Sequence, residues 1–405
     1  MTYSVFEDAS EATRKLQSEY SGFVDEYNAE TNPLTLRWSF GDVNTGIAQV
    51  DAVQSDCEFV YVGSVASSLL IALDRETGRE IARITNVSPA AIAADGARVV
   101  IADGNIVRSL PRPDFLNGWS GLNLGNLEQW TFDHGGPVRA LKSTGPHVFL
   151  GGDPVGAVTV RRLDAVTGLE DWQSAVHATA VNTIDSDGVS LIIGGVRDPA
   201  DDAVIRLLTY EAGTAVTAAF AGAPAFYADV AAVACLSLTL GNRHVIGIID
   251  KATVEIVFLG TDMVTAALPS WVSTFGSLRA VTKDGRGHVF LAGDPRVAAN
   301  GARFGSVFEM PEDKPAASAA GRVEPMANGG NGTPLGNGTN QLAIDCDGFG
   351  VFTGGLATPT GAVVHRFSMI SPVQLVRRST GRYRWPFHKA LNTQNPNRSS
   401  FARIS

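Results

Sequence analysis

The eight residues HVFLGGDP at His147–Pro154 return as HVFLAGDP at His288–Pro295, identical at all but one position and 141 residues apart. A chain that copies one phrase over such an interval is built from units that pack side by side, each burying its apolar face against the next. One third of the offset is 47 residues, and a four-stranded propeller blade takes roughly 40 to 50. Intermediate copies are therefore expected. They are read as FVYVGS at Phe59–Ser64, VVIADG at Val99–Gly104, LIIGGV at Leu191–Val196, a weaker CLSLTLG at Cys235–Gly241, and VFTGGL at Val351–Leu356, which with the two HVFL copies makes seven. Each is a short β-rich run that closes on a small residue or glycine, the residue type that lets a chain turn without a side-chain clash.

The rest of the unit is legible around these runs. An apolar strand and a turn such as Ser186-Asp187-Gly188 or Lys283-Asp284-Gly285 precede them. A second strand ending in Leu-Asp, a Thr-Gly turn and a closing strand follow, most clearly in IALDRETGREIARI at Ile71–Ile84 and VRRLDAVTGLEDW at Val160–Trp172. Glycine supplies the positive φ of the turn. The pattern predicts an all-β chain, a seven-bladed β-propeller of four-stranded blades over residues 34–368, with an N-terminal helical arm and an extended C-terminal arm. The phrase LTLRWSF at Leu34–Phe40 matches the closing strands LEQWTF at Leu127–Phe132 and LEDWQS at Leu169–Ser174, yet no unit precedes it. It is expected to serve as the outer strand of the last blade, which leaves no open sheet edge. The competing choice for that strand is PVQLVRR at Pro372–Arg378.

The Leu-Asp-x-x-Thr-Gly-x-x-x-Trp phrase resembles that of quinoprotein-like propellers and, more loosely, WD-repeat propellers. The resemblance covers about residues 34–368 and implies architecture; the Gly-His and Trp-Asp signatures of WD repeats are missing, and no blade carries a full set of the docking residues usual in quinoproteins. Fold by itself does not assign function.

Outside the repeats, residues 1–33 read as an arm built on a helix. Asp8 and Glu11 have capping-box spacing, and Ala12, Leu16, Tyr20, Phe23, Val24 and Tyr27 form an apolar stripe that Asn32-Pro33 ends. Residues 310–340, rich in Pro, Ala, Gly and Asn, cannot build a core and are expected as a long surface loop. Residues 369–405 form a basic extended arm with Arg377, Arg378, Arg382, Arg384, Trp385, Phe387 and Lys389. The charge is divided accordingly: −5 over residues 1–33 and +7 over residues 369–405, in a chain of net charge −9. Oppositely charged ends on an acidic body fit contacts inside an assembly better than nucleic acid binding. Leu16, Tyr20, Phe23 and Tyr27, with the seven arm residues just named, are the expected partner-binding set.

Little catalytic chemistry is expected. The seven histidines fall in separate elements without His-x-x-x-His or Glu-x-x-His spacing, so no metal site is predicted. The acidic runs at Asp185–Gly188 and Asp345–Gly348 lack the ligand series of a calcium loop and read as hairpin turns. Asp153, Asp294 and Asp198 are expected to project from equivalent loops. No nucleophile elbow or phosphate loop occurs, and no cofactor is implied. Three widely spaced cysteines, Cys57, Cys235 and Cys346, read as free thiols. With no run of about 18 apolar residues and no basic-then-apolar leader at Met1–Ser10, the chain is expected to be made in the cytoplasm and to span no membrane.

Similar propellers occur as virion components of tailed bacteriophages, including the tail nozzle and tip. The expectation is therefore a non-enzymatic structural subunit, a virion tail component at the nozzle, tip or adaptor, whose arms clasp other subunits in a homo-oligomeric ring. A quinoprotein-like oxidoreductase and a cytoplasmic scaffold that binds peptides are the alternatives.

Overall fold

The computed structural model describes residues 35–41, 45–119, 124–186, 188–220, 230–235, 244–249, 254–259, 275–283, 288–295, 307–311, 322–323, 341–347, 350–356 and 364–368. The expected helical arm, most of the 310–340 loop, the C-terminal arm and all eleven residues of the partner-binding set lie outside them. Residues Leu36–Ser368 form one compact unit.

Strand β1 is Thr35–Phe40. Four strands make the first sheet: β2 (Ala52–Ser55), β3 (Phe59–Ser64), β4 (Leu69–Asp74) and β5 (Glu80–Thr85). The second holds β6 (Pro89–Ala94), β7 (Arg98–Asp103), β8 (Ile106–Pro111) and β9 (Trp130–Asp133). The third holds β10 (Val138–Ser143), β11 (His147–Val155), β12 (Val158–Asp164) and β13 (Glu170–Ser174). The fourth holds β14 (Val181–Ser186), β15 (Ser190–Gly195), β16 (Ile205–Thr209) and β17 (Ala215–Phe220). Described strands of the fifth are β18 (Val230–Cys235), β19 (His244–Ile249) and β20 (Val254–Leu259). The sixth holds β21 (Phe275–Lys283), β22 (His288–Pro295), β23 (Val307–Pro311) and β24 (Arg322–Val323). In the seventh, β25 (Gln341–Cys346), β26 (Gly350–Gly355) and β27 (Val364–Ser368) are followed at the edge by β1, in the order β1-β27-β26-β25.

The sheets are antiparallel meanders, and each first strand touches the first strand of the next: β2 with β6, β6 with β10, β10 with β14, β14 with β18, β18 with β21, β21 with β25, and β25 with β2. The core lies between neighbouring sheets. Phe59, Tyr61 and Leu70 of the first pack with Val99 and Ile101 of the second, and Val53, Val60 and Val62 of the first pack with Phe352 and Val364 of the seventh. Strands β3 and β4 are buried on both faces, which is why they read as unbroken apolar runs instead of alternating ones.

Three expectations need correction. Gly104 (φ 65°), which closes VVIADG, does turn the chain, but in four other runs the small residue does not serve a turn. Gly63, Gly151, Gly194 and Gly354 sit inside strands, opposite Ala52, Ala140, Thr183 and Ala343. A Cβ at these glycines would lie 2.9 Å from Pro89, 2.7 Å from Val181, 2.7 Å from Val230 and 2.2 Å from Val50, all on the approach to or within the next sheet's first strand. Close approach of sheets, not backbone conformation, demands the small residue there. The fifth unit was also misplaced. Its second strand is HVIGII, His244–Ile249, with Gly247 opposite Ala232, whereas Cys235 ends the first strand. Finally, the runs at 185–188 and 345–348 do lead into turns at Gly188 (φ 87°) and Asp347, whose Oδ1 accepts from the Gly350 amide at 2.9 Å, but Asp185 and Asp345 themselves belong to β14 and β25.

The Thr-Gly turn is built as expected. Asp74 Oδ1 accepts from the Thr77 amide at 2.6 Å and its hydroxyl at 2.7 Å, and Asp164 Oδ1 accepts from the same groups of Thr167 at 2.7 and 2.8 Å. Gly78 (φ 71°) and Gly168 (φ 71°) then turn the chain. Their second duty explains the recurring Trp. Trp38, Trp130 and Trp172, each on the outer strand of one sheet, lie over Gly78, Gly168 and Gly213 of the next, where a Cβ would fall 2.5–2.6 Å from ring atoms. Each indole N–H donates to a carbonyl in that turn: Arg75 at 3.0 Å, Ala165 at 3.0 Å and Tyr210 at 3.3 Å. An arginine joins each carbonyl. Arg366 reaches Arg75 O at 2.9 Å, Arg162 reaches Tyr210 O at 3.0 Å, and Arg98 donates to Ala165 O. No helix among the described residues is long and apolar enough to cross a membrane.

Candidate functional site

The first strands enclose a cavity of about 380 Å³. Its walls follow from the register. Opposite the small residue of the second strand in six of the sheets stand Ala52, Ala91, Ala140, Thr183, Ala280 and Ala343, and all six line the cavity as a narrow, largely apolar band. Two residues further along five of these strands, about 7 Å at 3.3 Å per residue, the equivalent positions hold Gln54, Lys142, Asp185, Thr282 and Asp345, while the second sheet has Ala93 there. A small-x-polar pattern thus puts a polar ring beside an alanine ring.

The polar ring is cross-linked. Asp185 takes Lys142 Nζ at 2.6 Å on one oxygen and Lys283 Nζ at 3.6 Å on the other, joining the third, fourth and sixth sheets. Asp345 accepts from the Ser55 amide at 2.7 Å, the Ser55 hydroxyl and Gln54 Nε2 at 3.1 Å, tying the seventh sheet to the first. Burial outweighs these donors and pushes the Asp345 carboxyl up to about 6. Asp51 also lines the cavity, and holds the Val65 amide at 2.7 Å and the Gln49 side-chain amide. The acidic runs that read as turns thus contribute the cavity's two most entangled carboxylates. Superposing VRALKS, VNTIDS and QLAIDC in register would have exposed them, because the apolar residue between small and polar is constant while the polar one varies.

Other groups singled out for their chemistry are occupied structurally. His134 Nε2 donates to the Asp153 carbonyl at 3.1 Å while its Nδ1 accepts from Arg161 Nε at 3.1 Å. His177 repeats this with the Val196 carbonyl at 2.9 Å and Arg206 Nε at 3.3 Å. Both imidazoles are held below the ordinary histidine range, first by burial, and with both nitrogens engaged neither offers a lone pair to a metal. Among the described residues no group of three or more His, Cys, Asp or Glu could hold a metal ion. His147 meets Asp171 at 3.0 Å and the Tyr210 ring.

The three aspartates expected on equivalent loops do not act alike. Asp153 is two residues past its close-approach glycine and pairs with Arg139 at 2.7 Å. Asp198 is four past its own and nearly inaccessible, with the Ala178 and Ala200 amides and Arg206 all at 2.9 Å. Burial works against its charge, but these donors prevail and lower its pKa. The Asp294 side chain lies outside the described residues. Cys57, exposed, and Cys346, partly buried, are free thiols.

No protein-family model matches the chain, and no curated protein matches it. Among solved structures it is similar to the WD40 β-propeller domain of Doa1, with a TM-score of 0.56 and 12% identity over 83% of this chain and 96% of that one. It is also similar to the computationally designed Ika8 protein, with a TM-score of 0.48 and 14% identity over 83% of this chain and 99% of that one. The Doa1 likeness is one of fold, and the chain has a WD40-like β-propeller fold.

Proposed function

We propose that this chain is a seven-bladed β-propeller closed by its N-terminal strand, and that it serves as a non-enzymatic structural subunit of a large assembly, a tail component of a bacteriophage virion. The observation that carries the reading is where the propeller begins and ends. Strands β1 and β27 are neighbours in one sheet; Ser39 bonds His365 at 2.9 Å, and Trp38 and Arg366 share the Arg75 carbonyl. Residues 1–33 and 369–405, of charge −5 and +7, therefore attach to adjacent strands of a single sheet. Two oppositely charged segments rooted side by side suit a connector that engages neighbouring subunits at one edge, since charge complementarity sets register and partner choice.

A second support is the use of polar side chains. Among the described residues, arginines and histidines that could serve catalysis are engaged in structural contacts, as the Trp and Arg clasps and the paired histidines illustrate. Electron cryomicroscopy of the native particle, with mass spectrometry of its components, tests the proposal. The chain should be present at fixed stoichiometry, with residues 1–33 and 369–405 against other subunits. Recovery of the chain only as a free monomer would overturn it.

A further inference from the structure

Exposed apolar side chains gather at one end of the sheets. Every sheet is an antiparallel meander, and the first strands stand in one register around the cavity. All first-to-second and third-to-fourth connections therefore lie at one end, and all second-to-third connections at the other. Among the described residues, Phe115, Leu116, Val166, Leu169 and Val189 are the large exposed apolar residues of the first end, and Val65 is that of the second. Val166 (68% exposed), Leu169 (69%) and Val189 (66%) stand on turns beside the seam of the third and fourth sheets. These turns are fixed to one another: the Ala165 amide donates to the Pro146 carbonyl at 2.9 Å, the Tyr210 amide to the Val189 carbonyl at 3.3 Å, and the Tyr210 and Thr144 hydroxyls are 2.7 Å apart. An apolar surface on fixed turns loses little freedom when it is covered. Carboxylates outnumber cations around it. Arg162 lies between Asp171 at 3.1 Å and Glu211 at 3.2 Å, with His147 also on Asp171 at 3.0 Å. Asp164 Oδ1 accepts from the Val166 and Thr167 amides and the Thr167 hydroxyl. Arg161 and Arg98 are paired with Glu170 and Asp95, and Lys142 with Asp185 in the cavity wall. One guanidinium and one imidazole thus stand against three carboxylates, and the side chain of Glu211 is 83% exposed.

We infer that this seam receives the basic segment RRSTGRYRWPFHK, residues 377–389, of a second copy of the chain. That segment lies outside the described residues; its sequence interleaves four arginines and a lysine with Tyr383, Trp385 and Phe387 and holds no acid. Aromatic rings suit the three exposed aliphatic side chains, and the cations suit Asp164, Asp171 and Glu211, so apolar cover and charge complementarity agree. The ring of first strands says which copy supplies it. Counted around that ring, the third–fourth seam is three sheets from the seventh in either direction. Ser368, from which the segment continues, closes β27 of the seventh sheet at the same end as the apolar turns. Donor and acceptor therefore sit on opposite sides of one end of the propeller, a head-to-tail disposition that joins successive copies and closes into a ring when the rotation between them allows. The inference rests on the reading of the chain as an assembly subunit and names the surface that a neighbour engages.

Carbodiimide coupling of an equal mixture of unlabelled and nitrogen-15-labelled full-length chain, with sedimentation equilibrium of the same protein, tests it. The chain should self-associate, and mass spectrometry should find Lys389 joined to Asp164, Asp171 or Glu211 in peptide pairs that carry one light and one heavy partner. Self-association should weaken about tenfold or more in Val166→Arg and in Leu169→Arg. It should be unchanged in Val65→Arg, at the opposite end of the sheets. A circular-dichroism melt accompanies each variant, so that loss of association is read only from folded protein. A chain that stays monomeric, Lys389 links found only within one copy or only to other surfaces, or a folded Leu169→Arg that associates like the parent would overturn the inference. Should the native particle still hold the chain at fixed stoichiometry with both terminal segments against other subunits, those results would leave the assembly reading standing.

Discussion

Two seams of the propeller use the same parts under different constraints. Between the third and fourth sheets, Trp172 covers Gly213 and shares the Tyr210 carbonyl with Arg162, across 38 residues of chain for the Trp bond. Between the seventh and first sheets, Trp38 covers Gly78 and shares the Arg75 carbonyl with Arg366; the Trp bond spans 37 residues, as short as its counterpart, but the Arg bond spans 291 against 48 for Arg162. Chain connectivity helps hold the first seam, because its partners are tethered by a short loop. The second joins opposite ends of the unit, and the loop-closure entropy it must overcome is larger, although it grows only with the logarithm of length. The second seam also has an inner fastening to match: Asp345 on Ser55 and Gln54, where the first has Lys142 on Asp185. The repeat thus supplies one clasp design, and the closing seam depends on its side chains more than the seam between the third and fourth sheets does.

The largest effect should come from removing the indoles. Trp172→Ala and Trp38→Ala each forfeit aromatic packing and a hydrogen bond, about 3–5 kcal/mol in denaturant titrations. The two should differ in kind: Trp38→Ala should expose β1 and β27 to limited proteolysis under native conditions, whereas Trp172→Ala should leave the third and fourth sheets protected until global unfolding. Equal protease sensitivity would break the comparison.

Gly78→Ala and Gly213→Ala come next, at about 2–3 kcal/mol, because a Cβ meets both a positive φ and the Trp ring. Gly96→Ala is the internal control. Its φ is 80° but nothing lies within 4 Å of the added Cβ, so its cost should stay near 1 kcal/mol. A similar loss at all three sites would mean that the indoles do not press on the glycines.

Asp345→Asn probes the inner fastening of the closing seam through pH. The folded-state pKa is raised to about 6, so the protonated group favours folding: its contribution is full below the unfolded carboxyl value, near 4, and is lost as pH rises through 6. Stability should therefore fall by about 2 kcal/mol across that window in the parent and stay flat in Asp345→Asn, which keeps an acceptor for Ser55. Denaturation midpoints measured from pH 4 to 7 decide this. The smallest effects are expected for Arg162→Met and Arg366→Met, about 1 kcal/mol each, since the indole N–H still serves the shared carbonyl.

The same seams show what the sequence made legible. The HVFL copies, the Leu-Asp-x-x-Thr-Gly turn and the likeness of LTLRWSF to LEDWQS were sufficient to read the β units and their strand order, because turns and buried strands are local in cause. The function of the small residue in VGS, LGG and TGG was misread, since its cause is a neighbouring sheet brought close by packing and not by sequence proximity. The fifth unit was misplaced for a related reason: HVIGII and CLSLTL satisfy a local β pattern equally, and only pairing with β18 separates them. The cavity escaped notice because Lys142, Asp185 and Asp345 are ordinary strand-end residues until register sets them on one ring.

Hydrogen exchange of the full-length chain, read peptide by peptide, tests the central claim most directly. If the N-terminal strand closes the propeller, amides in Thr35–Phe40 should exchange as slowly as those of β13, its counterpart in the third sheet, and should be released by Trp38→Ala but not by Trp172→Ala. Exchange of Thr35–Phe40 at the rate of an unstructured peptide in the unmodified protein would contradict the account.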